Sequence, residues 1–150
     1  MSEQSFTYER NMGLVYADIL LQNSADVVMR KRGVLPDKEV RQMNVTALVD
    51  TGAIMLTIND AIAKQLDLEV KDQVDVELAD GTRGKSDLVG PVDIRFQNRI
   101  TSCLALVLPE STEVLLGAIP LEGMDVVIDP KLQQLTVHPD RPFHAGMKVK

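Results

Sequence analysis

The chain has 150 residues, 45% of them hydrophobic, a formal charge of −6 and a single cysteine, Cys103. That length and apolar content suit one domain. The negative charge argues against a nucleic-acid partner, which needs clustered Lys and Arg, and the lone cysteine excludes an intrachain disulfide and points to a reducing compartment.

Aromatic residues make up only 3% and Trp is absent, so the core has to come from Val, Ile, Leu, Ala and Met, which favours strands wherever Val and Ile dominate. Residues 1–12 form a polar lead without the basic-then-apolar order of a secretory signal. No apolar run reaches the ~20 residues that a spanning helix needs, so a soluble cytoplasmic protein without a membrane partner is expected.

One domain is expected over 13–140, followed by a polar tail over 141–150. Within it, apolar residues recur with a period near two between turn signals, which predicts an all-β fold with one or two short helices. "GLVYADILLQ" reads as a strand, Asn23 and Ser24 as a turn, and "DVVMRKRG" as the second strand of a hairpin ending in the solvated basic run Arg30, Lys31 and Arg32. After a loop at Pro36 and Asp37, "RQMNVTALVD" is the next strand, with Met43, Val45 and Ala47 alternating.

"INDAIAKQLDLE" is the clearest helix: Ile58, Ile62 and Leu66 recur every four residues, and Asn59 or Asp60 suits the cap. Val74, Val76 and Leu78 then alternate into Asp80-Gly81, a strong hairpin signal. "PVDIRFQ" and "ITSCLALVL" read as two further strands joined at Asn98 and Arg99. The closing stretch gives "EVLLG", a short turn or helix at "AIPLEGM", and the strands "DVVID" and "QLTVH".

The string "ALVDTGA" carries the chemistry. A carboxylate at the end of an apolar strand is costly unless donors satisfy it, and the Thr51 hydroxyl and Gly52 N–H are suited to do so. Gly52 also lacks the Cβ that would keep another chain or a substrate at a distance. Asp-Thr-Gly alone is equally an ordinary turn in which Asp50 bonds its own backbone. The preceding Leu48 and Val49, and the later "VLLG" with Leu115, Leu116 and Gly117, raise it above that.

From about Asn44 to Val137 the sequence thus resembles the retropepsin-like aspartic proteases, in particular small bacterial members: hydrophobic-hydrophobic-Asp-Thr-Gly-Ala, a helix, a hairpin flap, then hydrophobic-hydrophobic-Gly. The resemblance implies a one-domain acid-protease barrel acting as a homodimer on a peptide or protein substrate. It implies Asp50 as catalytic carboxylate, Thr51 bonding across the dimer axis, Gly52 presenting its N–H to the carboxylate and Ala53 continuing the loop. Gly117 would let a strand pass beside that loop, and Ala79, Asp80, Gly81, Thr82, Arg83 and Gly84 would form a substrate flap. Two positions depart from the pattern: Ile54 stands where many relatives have a polar residue, and Ala118 follows Gly117.

Hydrolysis by this route needs two carboxylates sharing a proton, yet the chain holds one Asp-Thr-Gly and no Asp-Ser-Gly. A two-fold axis beside Asp50 would bring in its copy. Such a pair would titrate as a unit, giving bell-shaped activity and an association that weakens as pH rises through the second ionisation. No cofactor or metal is expected, since His138 and His144 lack a ligand set. Cys103 reads as an inert thiol, and Asp18, Asp93, Asp125 and Asp129 as solvated or turn-forming. Two other readings keep the fold: a non-catalytic homodimeric peptide-binding module, and a scaffold whose dimer buries the Asp50 loop.

Overall fold

The computed structural model describes residues 13–78, 80–108 and 113–149. β1 (Tyr16–Asn23) places Ala17, Ile19 and Leu21 in the core by strand alternation. It pairs antiparallel with β2 (Gln42–Val49) on one side and with β5 (Arg83–Phe96) on the other. The remaining strands of the same sheet are β3 (Leu56–Ile58), β4 (Glu69–Glu77), β6 (Arg99–Val107) and β7 (Val114–Leu116).

The order β1-β2-β7-β3-β6-β5 closes through the β1–β5 pairing into a six-strand barrel, and β4 lies outside it, paired only with β5. Closure removes sheet edges from the barrel itself. The interior is filled by aliphatic side chains, among them Ile19, Leu21, Leu56, Ile58, Leu66, Ile94 and Leu116. This mainly β architecture with few short helices is the predicted fold class.

Three local expectations are corrected. "DVVMRKRG" is not a strand: Ser24–Lys31 form a helix, α1, so its basic run is the end of a helix. Asn23 caps it, accepting from the Asp26 N–H at 3.2 Å, and Asp26 in the first turn and Arg30 and Lys31 in the last complement the helix dipole. β1 therefore has no hairpin partner in the following segment and pairs with β2 and β5 instead.

Second, the strand after Asp80-Gly81 and "PVDIRFQ" are one 14-residue strand, β5. It runs from the hairpin into the barrel through an irregularity between Val89 and Val92, where Gly90 takes φ +137, a conformation L side chains rarely adopt. Arg99 belongs to β6 rather than to the turn, which includes Gln97 at φ 52.

Third, Asp93 and Asp125 are not solvated. Asp93 is buried and accepts from Ser24 Oγ at 2.5 Å and Ser102 Oγ at 2.6 Å. Asp125 accepts from Arg141 Nε at 2.6 Å and Nη2 at 3.0 Å, and from the Gly146 N–H at 2.9 Å. These bonds, with Asn98 Nδ2 donating to the Pro142 carbonyl at 2.8 Å, hold the start of the 141–149 segment to the barrel. Asp129 does start a turn, accepting from the N–H groups of Lys131 and Leu132.

The helix expected over 58–69 forms only as α2 (Asp60–Gln65), with Ile58 ending β3 and Glu69 starting β4; Asn59 caps it, its side chain accepting from the Ile62 N–H at 2.9 Å. α1, β2 and α2 are stitched at one point. Asp26 accepts from Arg41 N, Nε and Nη2 at 2.8–2.9 Å, Arg41 Nη1 reaches Asp67 at 2.5 Å, and Asn23 Nδ2 donates to the Leu66 carbonyl at 2.9 Å. That network fixes the start of β2, whose far end carries Asp50. After β7, α3 (Ala118–Met124) leads to a separate two-stranded sheet, β8 (Val126–Asp129) with β9 (Gln134–Val137). No helix among the described residues is long and apolar enough to cross a membrane.

Candidate active site

β2 delivers Asp50 to the end of an apolar strand whose last residue, Val49, is buried. β7 runs parallel to β2 with Val49 opposite Leu116, and meets β3 antiparallel at Thr57 and Leu115. The strand after the loop and the strand before it therefore flank β7, and residues 50–55 must cross its end at Gly117.

That crossing is tight. A Cβ on Gly117 would lie 2.7 Å from the Ala53 carbonyl oxygen and 2.8 Å from the Ile54 carbonyl carbon, and would also strike the Met55 carbonyl oxygen. The same crossing is bonded: Ala118 N–H donates to the Ala53 carbonyl at 2.8 Å and Ile119 N–H to the Ile54 carbonyl at 2.9 Å. Asp50 N–H donates to the Leu116 carbonyl at 3.0 Å, and Ala53 N–H to the Asp50 carbonyl at 3.1 Å. A loop pinned at both ends and threaded past backbone holds its side chain in a fixed direction.

The Asp50 carboxylate is partly exposed, and its Oδ1 accepts from the Gly52 N–H at 2.9 Å. Thr51 and Gly52 are exposed beside it, and Ile54 projects into solvent at 68% exposure. Asp50, Thr51, Gly52, Ala53 and Gly117 thus lie together, as one backbone assembly. The predicted flap residues form the tip of the β4–β5 hairpin; Ala79 falls outside the described residues. Leu78 and Thr82 close the turn through Leu78 N–H to the Thr82 carbonyl at 2.8 Å. Asp80 Oδ1 accepts from the Thr82 N–H at 2.9 Å and hydroxyl at 2.6 Å. Those bonds hold the Asp80 carboxyl below the usual carboxylate range.

The hairpin is two-faced. Val74 pairs with Ser86 and Val76 with Gly84 on one face; Gln73 with Asp87, Asp75 with Lys85 and Glu77 with Arg83 on the other. Unlike charges pair across the strands on the second face at Asp75–Lys85 and Glu77–Arg83, while the first, which also carries Asp72 opposite Leu88, is mainly apolar towards the hairpin tip.

An apolar groove of about 440 Å³ opens on the flank of the Asp50 loop, between α3 and β8, lined by Thr51, Leu121, Glu122, Asp125, Val126, Ile128 and Leu135 among others. Sequence reasoning missed it, because its walls come from segments some 70 residues beyond Thr51 in the chain. Cys103 is half-buried, and desolvation, reinforced by Asp93, pushes its thiol up to about 11, which suits a protonated sulfur and not a nucleophile. Among the described residues no group of His, Cys, Asp or Glu has the geometry of a metal site.

Residues 37–122 match the family model described as "gag-polyprotein putative aspartyl protease". That span covers more than half of the chain, including β2, the Asp50 loop, the β4–β5 hairpin and Gly117, and the chain belongs to this retropepsin-like aspartyl protease family. The membership supports a protease-type function in general terms. A comparison with curated proteins gives no match.

Proposed function

We propose that the protein is an aspartic endopeptidase whose active site is assembled from two chains, each contributing Asp50. The observation that carries this reading is the Asp50 carboxylate, held by the Gly52 N–H on a loop locked over Gly117 and left partly exposed next to Thr51. The chain has a single Asp-Thr-Gly, so a second carboxylate has to come from a copy.

In such a pair one carboxylate is ionised and takes a proton from a water molecule as the water oxygen attacks the peptide carbonyl carbon. The other carboxyl gives its proton to the carbonyl oxygen, so a neutral tetrahedral diol forms. Collapse returns a hydroxyl proton to a carboxylate and delivers another to the amide nitrogen, the C–N bond breaks, and the pair is again singly protonated. Thr51, exposed beside the carboxylate on each chain, holds the two loops together across the axis. The face of the β4–β5 hairpin that carries Val74, Val76 and Gly84 towards the tip covers an extended peptide and lends it strand-like hydrogen bonds.

The test is cleavage of a mixed peptide library between acidic and neutral pH. The native chain is expected to cut within peptides with a bell-shaped pH profile, because activity requires one shared proton. Asp50→Asn is expected to abolish cutting while leaving circular dichroism and thermal unfolding unchanged. Cleavage that survives in Asp50→Asn assigns the chemistry to other residues and ends the proposal.

A further inference from the structure

β4 is the outer strand of the large sheet, paired with β5 and with no strand on its other side among the described residues. Near its start Val70 is 55% exposed, an apolar side chain in water on an open edge. Beside it a second cavity, of about 210 Å³, lies between α2 and the base of the β4–β5 hairpin. The partly or fully buried Leu68, Val89 and Val107, with Val70, give it an apolar floor. Asp60, Asp67 and Asp87 bring three carboxylates to its rim against one ammonium, that of Lys64. These carboxylates keep free capacity. Asp87 Oδ1 accepts from Gln73 Nε2 at 3.0 Å, Asp67 shares Arg41 with Asp26, and the Asp60 side chain has no hydrogen bond or ion pair among the described residues.

An apolar floor under a negative rim matches one kind of guest: a Lys or Arg side chain, which lays its methylenes on apolar surface and keeps its charged head at a polar edge. A carboxylate or phosphate would be repelled at the rim, and a purely apolar side chain would strip water from the carboxylates without replacing it. The chain's charge of −6 draws a basic segment from a distance. A second copy is the wrong partner, since it would bring the same strand, in which Glu69, Asp72, Asp75 and Glu77 outnumber Lys71.

The cavity is separate from the surfaces assigned to hydrolysis. Val70 comes eight residues before Leu78 at the hairpin tip, about 25 Å along an extended strand. Asp87 and Val89 lie on the hairpin face of Asp75–Lys85 and Glu77–Arg83, turned away from Val74 and Val76.

We propose that this cavity is an exosite: it takes a Lys or Arg side chain from an extended segment of a partner protein that lies along the free edge of β4 at the base of the hairpin. The exosite does not depend on hydrolysis, and it leaves the face of Val74 and Val76 free to cover a substrate.

The test uses the Asp50→Asn chain labelled with heavy nitrogen, so that no peptide is cut, and the acetylated, amidated probe Thr-Val-Thr-Lys-Thr-Val-Thr. Titration followed by two-dimensional NMR is expected to shift the amides of Lys64, Leu68, Val70, Lys71 and Val89 together, with one dissociation constant that rises with salt. Replacing the Lys of the probe by norleucine, or introducing Asp87→Lys into the chain, is expected to raise that constant about tenfold or more. Ala63→Leu, at a residue that also lines the cavity, is expected to weaken binding by filling space without changing charge. Equal binding of the norleucine probe overturns the exosite without any change to the chain, and so does a set of shifts centred on Thr51 or the hairpin tip. Shifts at the same five amides on raising the chain concentration alone would give the surface to a second copy and overturn it as well. A wild-type chain that binds the probe here yet cuts no peptide would sink the proteolytic reading alone; one that cuts peptides but does not prefer the Lys probe would sink the exosite alone.

Discussion

At the scale of single residues, the site depends less on Asp50 itself than on the glycine that lets its loop pass. Gly117 faces backbone atoms on three consecutive residues, which have no rotamer to yield. Gly117→Ala is therefore expected to destabilise the chain by about 3 kcal/mol or more. Gly84→Ala, where nothing lies within 4 Å of the added carbon, should stay within about 0.5 kcal/mol of wild type. Urea unfolding of the two variants checks this, and equal stabilities would show that the crossing is looser than described. Asp50, Thr51 and Gly52 were legible in the sequence because the chemistry is written in consecutive residues. The packing that makes Gly117 obligatory was legible only through the family resemblance, since nothing local in "VLLG" indicates what crosses it.

At the scale of elements, local signals succeeded where a turn or cap is set by its own residues, as with Asp80-Gly81 and Asn59 ahead of α2. They failed at α1. The pair Val27-Val28 reads as strand by propensity, but the Asn23 cap, the acidic first turn and the basic last turn favour helix, and Asp26 is buried against Arg41. Long-range partners such as Ser24 with Asp93, or Asp125 with Arg141, leave no periodic trace, which is why those carboxylates read as solvated. The Asp26–Arg41 contact has a measurable consequence. Hydrogen bonds from Arg41 hold the Asp26 carboxyl below its ordinary value, against the opposing effect of burial. A carboxyl depressed in the folded state stabilises fully above the unfolded value of about 4 and loses that contribution as pH falls through the folded one. Asp26→Asn should then cost about 2 kcal/mol at neutral pH, a figure kept low because Arg41 is partly in water. The difference from wild type should shrink as pH falls below about 4. Denaturant melts at pH 7 and pH 3 would expose a constant difference if the ion pair were not the cause.

At the scale of the whole molecule, α3 and the β8–β9 sheet give Leu121, Met124 and Leu135 to the core, while Ile54, Ile119, Phe143, Met147 and Val149 stay exposed. A single chain thus satisfies its core while leaving an apolar surface around the loop that carries its one candidate catalytic carboxylate. Exposed apolar surface of this kind is where proteins meet partners, and on the proposed mechanism, which needs two like carboxylates, that partner is a copy of the chain. The claim that one carboxylate comes from each subunit is tested most directly by mixing. Wild-type and Asp50→Asn chains are allowed to exchange subunits at fixed total concentration, and peptide hydrolysis is followed as the wild-type fraction is lowered. If both carboxylates are required, only dimers of two wild-type chains cut, and the rate falls with the square of the wild-type fraction. A rate that falls in simple proportion to that fraction would mean that each chain works alone, and would contradict the shared site.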